Sequence, residues 1–119
     1  MSQIPGVCLG APTDDPANYM LEDEDGQEFT ICTTYEVLVR LLGEPSYTGG
    51  EKITSQWNLR HDGGAFRLLD YKATSAYAPD LPALDEFRQQ PYAWLVQTDG
   101  SEAAARGAAL VRSAVMRTS

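Results

Sequence analysis

The sequence predicts an α+β fold in which an antiparallel sheet of hairpins carries two main helices packed on one face. Three patterns indicate it. Residues 52–60 and 65–72 alternate between apolar and polar side chains around a glycine-containing turn. Residues 37–42 repeat apolar side chains at helical spacing, and residues 102–116 form an alanine-rich amphipathic segment. Read in chain order, the predicted elements are β-β-α-β-β-(short α)-β-α, with the helices on one face of the hairpins.

The first two predicted strands form a hairpin behind an irregular lead-in. Residues 1–16 are rich in proline and glycine and predict no regular element, so we assign a single α+β domain to residues 17–119. Residues 18–22 and 27–32 then flank an Asp-Glu-Asp-Gly turn, because glycine tolerates the positive φ that tight hairpin turns require.

The first helix has the clearest boundaries in the chain. Thr33 with Glu36 three residues later matches a capping box, in which each side chain satisfies a backbone N–H of the first turn. The apolar stripe consists of Val37, Leu38, Leu41 and Leu42. Gly43 stands where a helix C-cap glycine is common, and Pro45 prevents continuation.

The central hairpin follows. One set of residues in its first arm, Ile53, Ser55, Trp57 and Leu59, is predicted to face the core. The residues between them, Lys52, Thr54, Gln56, Asn58 and Arg60, are predicted to face the other way. The segment His-Asp-Gly-Gly at 61–64 supplies the turn, and residues 65–72 form the returning arm.

The last third predicts a short helix, a strand and a long helix. Residues 83–90 allow one or two helical turns with Leu84 and Phe87 inward, and Pro91 ends them. Residues 92–98 read as a strand, and residues 99–101 as a turn that caps the final helix. The predicted packing positions of that helix are Ala103, Leu110, Val111, Ala114 and Val115.

The charge distribution excludes some classes of function. The net charge is −8, and residues 1–39 hold eight of the 17 acidic residues but none of the nine Lys and Arg residues. A generic DNA or membrane-surface binder carries a basic patch, and none is visible. No segment is apolar for long enough to span a membrane, and the N-terminus lacks the pattern of a secretory signal. The two cysteines are therefore predicted to be reduced thiols in a cytosol.

No pattern of catalytic or metal-binding residues stands out. The single histidine, His61, precedes Asp62 in a turn, where neighbouring side chains seldom point together. Cys32 precedes a helix N-terminus, which favours a thiolate, but it also ends an apolar strand, where cysteine usually acts as a small buried hydrophobe. No Cys/His spacing matches a zinc site, and no calcium loop is present. We therefore predict a protein that is not an enzyme and needs no cofactor or metal.

One constellation remains, aromatic and basic residues along the central hairpin and the strand after it. Aromatic rings can stack on a nucleobase, and Arg or Lys can pair with phosphate. The candidate ligand-binding residues are Trp57, Arg60, Arg67, Tyr71, Lys72 and Trp94. The more frequent interpretation of such residues is structural, with the tryptophans in the core and the basic side chains in solvent.

Four short segments stand out before the alanine-rich helix, namely LLGEP at 41–45, KITSQW at 52–57, LDYK at 69–72 and YAWLV at 92–96. Together with that helix, they resemble a family of small bacteriophage accessory proteins. The resemblance covers residues 36–115 and leaves out the acidic N-terminal hairpin. It implies a protein of the bacterial host cytoplasm that counters host defence by binding, either by sequestering a nucleotide immune signal or by occluding a defence protein.

Two functional hypotheses follow, with an enzyme acting through His61 or Cys32 as a third. The first is a phage-type non-catalytic binding protein, a homo-oligomer, that captures a small nucleotide signal through the aromatic and basic residues. The second is a protein–protein inhibitor whose acidic turn occupies a basic surface of a host defence protein or nuclease. Its candidate partner-binding residues are Glu22, Asp23, Glu24 and Asp25.

Overall fold

In the computed structural model, the described residues form a sheet of seven strands, and every pairing between these strands is antiparallel. The structure describes residues 3–10, 19–22, 25–49, 53–71 and 73–118. The strands are β1 (Cys8–Leu9), β2 (Tyr19–Met20), β3 (Thr30–Thr33), β4 (Tyr47–Thr48), β5 (Ser55–His61), β6 (Gly64–Leu69) and β7 (Tyr92–Thr98). The helices are α1 (Tyr35–Leu42), α2 (Leu84–Arg88) and α3 (Glu102–Thr118).

The seven strands occupy five positions across the sheet. Strands β5, β6 and β7 form the centre, in that order. Strands β1 and β4 pair with opposite ends of β5, and β2 and β3 pair with opposite ends of β7. Short strands thus share each edge, and β6 lies in the middle.

The predicted central hairpin is confirmed, including its turn. Asp62 and Gly63 both have positive φ, of 47° and 82°, and His61 pairs with Gly64 across them. Two positive φ values define the primed turn whose twist matches that of the flanking strands. The turn sets the register that continues through Trp57 opposite Leu68.

One face of the sheet builds the core. Its fully buried members on the central strands are Trp57, Leu59, Phe66, Leu68, Trp94 and Val96. Both indole N–H groups find acceptors, Trp57 in the carbonyl of Gly43 at 2.9 Å and Trp94 in that of Thr33 at 3.0 Å. Helix α1 adds Leu38 and Leu42 to the same core, and α3 lies across β5 and β6. The predicted α+β class, with helices on one face of an antiparallel sheet, is confirmed.

Helix α3 approaches the sheet through its smallest residues. Its buried positions are Ala104, Gly107, Ala108, Val111, Ala114 and Val115. The prediction names Val111, Ala114 and Val115 correctly. It also names Ala103 and Leu110, and it misses Ala104, Gly107 and Ala108. Leu110 is 38% exposed. Gly107 approaches Phe66 so closely that an added Cβ would lie 2.6 Å from its ring, and the contact stripe is rotated from the one that side-chain size suggests.

The N-terminal part departs from its predictions in two ways. Residues 3–10 belong to the core assembly, because Ile4 and Val7 are buried and β1 pairs with β5. The predicted first hairpin is present only at its turn end, where Glu22 and Glu28 form an antiparallel bridge, because β2 and β3 themselves both pair with β7. We call residues 21–29, the segment between these two strands, the acidic excursion.

The start of α1 lies one residue later than predicted. Thr34 is the N-cap, and its hydroxyl accepts a hydrogen bond from the N–H of Val37 at 3.3 Å. Thr33 stays in β3, opposite Tyr92. Glu36 therefore makes no capping box and instead forms an ion pair with Arg40 at 3.0 Å on the helix surface. Among the helices described, none is long and apolar enough to cross a bilayer.

Candidate functional site

The face of the sheet opposite the helices carries a row of polar residues beside a row of apolar ones. The register places Asn58, Arg67 and Gln97 side by side across β5, β6 and β7. One step along the strands, Leu69 and Leu95 lie beside each other. We call this surface the outer face. Its hairpin part is less exposed than predicted, because Gln56 and Asn58 are only 8% and 1% exposed.

A groove of about 900 Å³ lies on this outer face. It is lined by Glu28, Thr30, Ile53, Arg67, Leu69, Tyr71, Tyr92, Ala93, Leu95 and Gln97. A volume of this size is in the range of small-molecule sites in proteins. Most of the lining is apolar, and its two charged side chains are Arg67 and Glu28, so the groove has a largely apolar floor and one charged end that holds a guanidinium and a carboxylate.

Arg67 supplies the positive charge of the groove. Its Nε donates a hydrogen bond to Oε1 of Gln97 at 2.7 Å. The residue is only 8% exposed, so much of the guanidinium is already removed from bulk water. A fixed, partly desolvated guanidinium pairs more strongly with an anion than a mobile surface one does.

The other end of the groove offers aromatic and aliphatic surface. Tyr71, which follows β6, is 46% exposed. Burial raises the pKa of the Tyr92 hydroxyl most, and the nearby carboxylate of Asp70 raises it as well. The hydrogen bond from the N–H of Tyr71 lowers this pKa, but the net value stays above the ordinary one. The Tyr92 hydroxyl is therefore neutral near pH 7 and able to donate a hydrogen bond.

A buried carboxylate fixes the backbone beside this end. Asp70 is fully buried, and its Oδ1 accepts hydrogen bonds from the N–H of Thr54 at 2.8 Å and of Ser55 at 2.9 Å. Its Oδ2 accepts from the hydroxyl of Thr54. These bonds tie the start of β5 to the end of β6, between Ile53 and Tyr71 of the groove lining.

Of the six predicted ligand-binding residues, the structure brings Arg67 and Tyr71 together in the groove. Trp57 and Trp94 are fully buried and contact each other edge to face, with ring centroids 5.4 Å apart. Neither indole offers a face to a ligand. Both belong to the core, which is the more frequent interpretation given for them in the sequence. Arg60 lies on the outer face but outside the groove lining, and Lys72 lies outside the described residues.

The two residues considered for catalysis lie far apart in the fold and differ in setting. The Nδ1 of His61 lies 2.8 Å from the carbonyl oxygen of Gly6, and its Nε2 lies 3.5 Å from a carboxylate oxygen of Asp62. Both ring nitrogens thus face oxygens, and neither faces a nucleophile. Cys32 is exposed, contrary to its interpretation as a buried hydrophobe, because the alternation of β3 places its neighbours Ile31 and Thr33 inside. Within the described ranges, no group of His, Cys, Asp and Glu is arranged to hold a metal ion.

The acidic excursion at residues 21–29 stands out from the edge of the sheet. The N–H of Phe29 donates to the carbonyl of Leu21 at 2.7 Å, which closes it. Glu22, Asp25 and Glu28 are exposed, whereas the other two predicted partner-binding residues, Asp23 and Glu24, lie outside the described residues. At its base the guanidinium of Arg112 covers the ring of Phe29 at 4.6 Å.

Comparison with known proteins adds no relative. No family model matches the chain, and no curated protein matches it either. The function is therefore argued from the groove and the edge of the sheet.

Two residues that define the groove were not among the predicted site residues. Gln97 and Leu95 lie on β7, whose bounds the sequence predicts correctly as residues 92–98. Alternation along β7 puts them on one face together, but it does not say which strand lies alongside. The pairing of β6 with β7, which sets Gln97 beside Arg67, is a long-range contact that no local pattern specifies.

Proposed function

We propose that this protein is a non-catalytic binding protein that captures a small nucleotide in the groove of the outer face. The observation that carries the proposal is the combination of Arg67, held by Gln97 at 2.7 Å, with an apolar and aromatic floor beside it. A phosphate pairs with a guanidinium, and a base needs a flat apolar surface. Leu95, which is partly exposed, precedes Gln97 by two residues on the same face of β7, about 7 Å along the strand, which suits the spacing of the two parts of a nucleotide.

The biological setting of the proposal comes from the resemblance alone. The similarity to bacteriophage accessory proteins suggests that the nucleotide is an immune signal of the bacterial host and that capture in the host cytoplasm counters defence. A homo-oligomer would let a second copy close the open side of the groove. Sedimentation of the purified protein with and without nucleotide measures that arrangement.

Titration calorimetry with a panel of cyclic nucleotides and ADP-ribose-type molecules tests the proposal. We expect heat of binding and a rise in the melting temperature for at least one of them. Arg67→Gln should weaken that binding at least tenfold, because it removes the charge. Arg106→Gln removes the same charge from an exposed site on α3 and serves as the matched control. No heat and no thermal shift with any member of the panel would lead us to abandon the proposal.

A second candidate function is supported by the acidic excursion. Its exposed carboxylates project from the sheet edge, with no basic residue between positions 22 and 28 of the sequence. Such a surface suits a basic partner, for example the nucleic-acid channel of a host nuclease. Neutralising Glu22, Asp23, Glu24 and Asp25 together should abolish inhibition of that partner and leave nucleotide capture unchanged.

A further inference from the structure

Strand β3 is an edge strand that no neighbour covers in the described part of the chain. It pairs with β7 from Thr30 opposite Leu95 to Thr33 opposite Tyr92. Its sequence, Thr-Ile-Cys-Thr, has neither a charge nor a proline. Proteins commonly protect an exposed edge with such residues, since unpaired backbone groups otherwise recruit another strand. The edge of β3 has no such protection.

The backbone groups that face outward can be identified. The N–H of Val96 donates to the carbonyl of Phe29 at 3.3 Å, so Phe29 faces β7. In an antiparallel ladder, successive residues direct their N–H and C=O groups to alternate sides. Ile31 therefore also faces β7, whereas Thr30 and Cys32 direct their N–H and C=O groups away from it. None of the described residues outside β7 is hydrogen-bonded to these groups.

The two sides of this edge differ in chemistry. On the helix side, a groove of about 220 Å³ is lined by Thr30, Ile31, Cys32, Arg112, Val115 and Met116. Met116 is 71% exposed, which is unusual for a large apolar residue beside a groove. On the other side, Glu28 precedes Thr30 by two residues and shares its face of the strand. The acidic excursion adjoins it in the chain, and its described acidic residues Glu22, Asp25 and Glu28 are exposed.

We propose that the open edge of β3 binds an extended segment of a partner protein in which basic and apolar residues alternate, added to the sheet as an antiparallel strand. The outward groups of Thr30 and Cys32 would hydrogen-bond its backbone. Its apolar side chains would enter the groove beside Met116, and its basic side chains would face Glu28 and the excursion. A second copy of this chain fits less well, because it would bring an equally acidic flank to the same edge.

The inference does not rest on nucleotide capture, although Glu28 and Thr30 also line the groove of the outer face, and it gives the second candidate function a defined contact. The probe is a blocked hexapeptide of alternating valine and lysine, and its control is the same peptide with glutamate in place of lysine. We expect the lysine peptide to slow hydrogen exchange at the amides of Thr30 and Cys32 while leaving that of Ile31 unchanged. The glutamate peptide should bind at least tenfold more weakly.

Two variants separate strand addition from attraction by charge. Cys32→Pro removes an N–H that the ladder with β7 does not use, and should weaken peptide binding at least tenfold. Cys32→Val keeps that N–H and should bind as the natural protein does. Unchanged binding by Cys32→Pro, with loss of binding on neutralising Glu22, Asp25 and Glu28, would overturn the inference and leave the second candidate function standing.

The exchange measurement keeps the inference testable if Cys32→Pro does not fold. Peptide binding to the natural protein without slower exchange at Thr30 and Cys32 would overturn strand addition. Slow exchange at both amides in the free protein, increasing with protein concentration, would instead identify a second copy as the occupant and would also overturn it.

Discussion

Arg67 on β6 donates a hydrogen bond from its Nε to Oε1 of Gln97 on β7, 2.7 Å away on the outer face of the sheet. The bond joins two central strands, and it orients the guanidinium beside the groove. Because Gln97 is neutral, it positions the guanidinium without cancelling its charge. Gln97 therefore orients the guanidinium without neutralising it, whereas a glutamate at the same position would do both.

This difference predicts the effect of Gln97→Glu. The new carboxylate still accepts from Arg67, so the free energy of unfolding should stay within about 1 kcal/mol of the natural value. Anion binding in the groove should fall at least tenfold, because the positive charge is neutralised. Calorimetry measures the binding, and urea denaturation measures the stability. Gln89→Glu adds the same charge at an exposed position after α2 and is the control. Equal affinities in the two variants would show that Arg67 does not hold the anion.

The sequence predicts local features of this fold well and the partners of each strand poorly. The type of turn at Asp62-Gly63 and the bounds of β7 follow from residues next to each other in the chain. The position of Gln97 beside Arg67, 30 residues apart, depends on which strands pair. So does the pairing of β2 and β3 with β7, whereas the local Asp-Gly signal predicts only the bridge between Glu22 and Glu28 at the turn.

The burial of α3 shows a second reason for failure. Side-chain size favoured Leu110 as a packing position, whereas the sheet requires small residues at the contact. A Cβ added to Gly107 would lie 2.6 Å from Cε1 of Phe66 and 2.7 Å from Cβ of His61. The distance between helix and sheet, which is a property of the packed core, selects the glycine, and no periodicity reveals it.

Gly107→Ala is therefore predicted to destabilise the protein. The added methyl group would gain up to about 1 kcal/mol of helix propensity. Pushing α3 away from the side chains of Phe66 and His61 should cost more, so we expect a net loss of about 1–3 kcal/mol. Chemical denaturation followed by circular dichroism measures it. Ala109→Gly, on the exposed side of the same helix, should lose only about 1 kcal/mol through propensity. A stabilised Gly107→Ala variant would contradict the packing of α3 described above.

Asp70 is predicted to be the most sensitive polar residue of the chain. Its replacement by alanine leaves the N–H groups of Thr54 and Ser55 buried without their acceptor. Each unsatisfied group costs about 1–3 kcal/mol, so Asp70→Ala should lose roughly 2–5 kcal/mol. Asp70→Asn keeps one oxygen acceptor and should lose less. Asp80→Asn, in an exposed loop, is the control and should change stability by less than about 0.5 kcal/mol. A loss at Asp70→Ala no larger than at Asp80→Asn would contradict this role.

Asp99 is predicted to account for part of the stability that the protein loses at low pH. Burial raises the pKa of its carboxyl, but hydrogen bonds from Ser101 and from the N–H of Ala65 lower the pKa by more than burial raises it. The net pKa lies below the ordinary 3.8. The Oδ2 of Asp99 accepts a hydrogen bond from the N–H of Ala65 at 2.9 Å, and its Oδ1 accepts one from the hydroxyl of Ser101 at 2.6 Å. The Ser101 hydroxyl in turn caps α3 by accepting from the N–H of Ala104. A carboxyl whose pKa is lower in the folded state stabilises the protein above the pKa of the unfolded chain. That stabilisation is lost as the pH falls through the folded value.

As the pH falls below the ordinary carboxyl pKa and through the lower folded value, the melting temperature of the natural protein should therefore fall more steeply than that of Asp99→Asn, in which this group no longer titrates. The difference between the two slopes isolates Asp99 from the other carboxyls that protonate in the same range. Asp80→Asn removes an exposed carboxyl and should retain the natural slope. Parallel curves for Asp99→Asn and the natural protein would mean that the bonds to Ala65 and Ser101 do not favour the ionised carboxyl. The link between β6 and the start of α3 would then rest on interactions that do not need the charge of Asp99. These are the hydrogen bond from the N–H of Asp99 to the carbonyl of Ala65 at 2.9 Å and the close packing at Gly64, where an added Cβ would lie 2.4 Å from the N of Ala104.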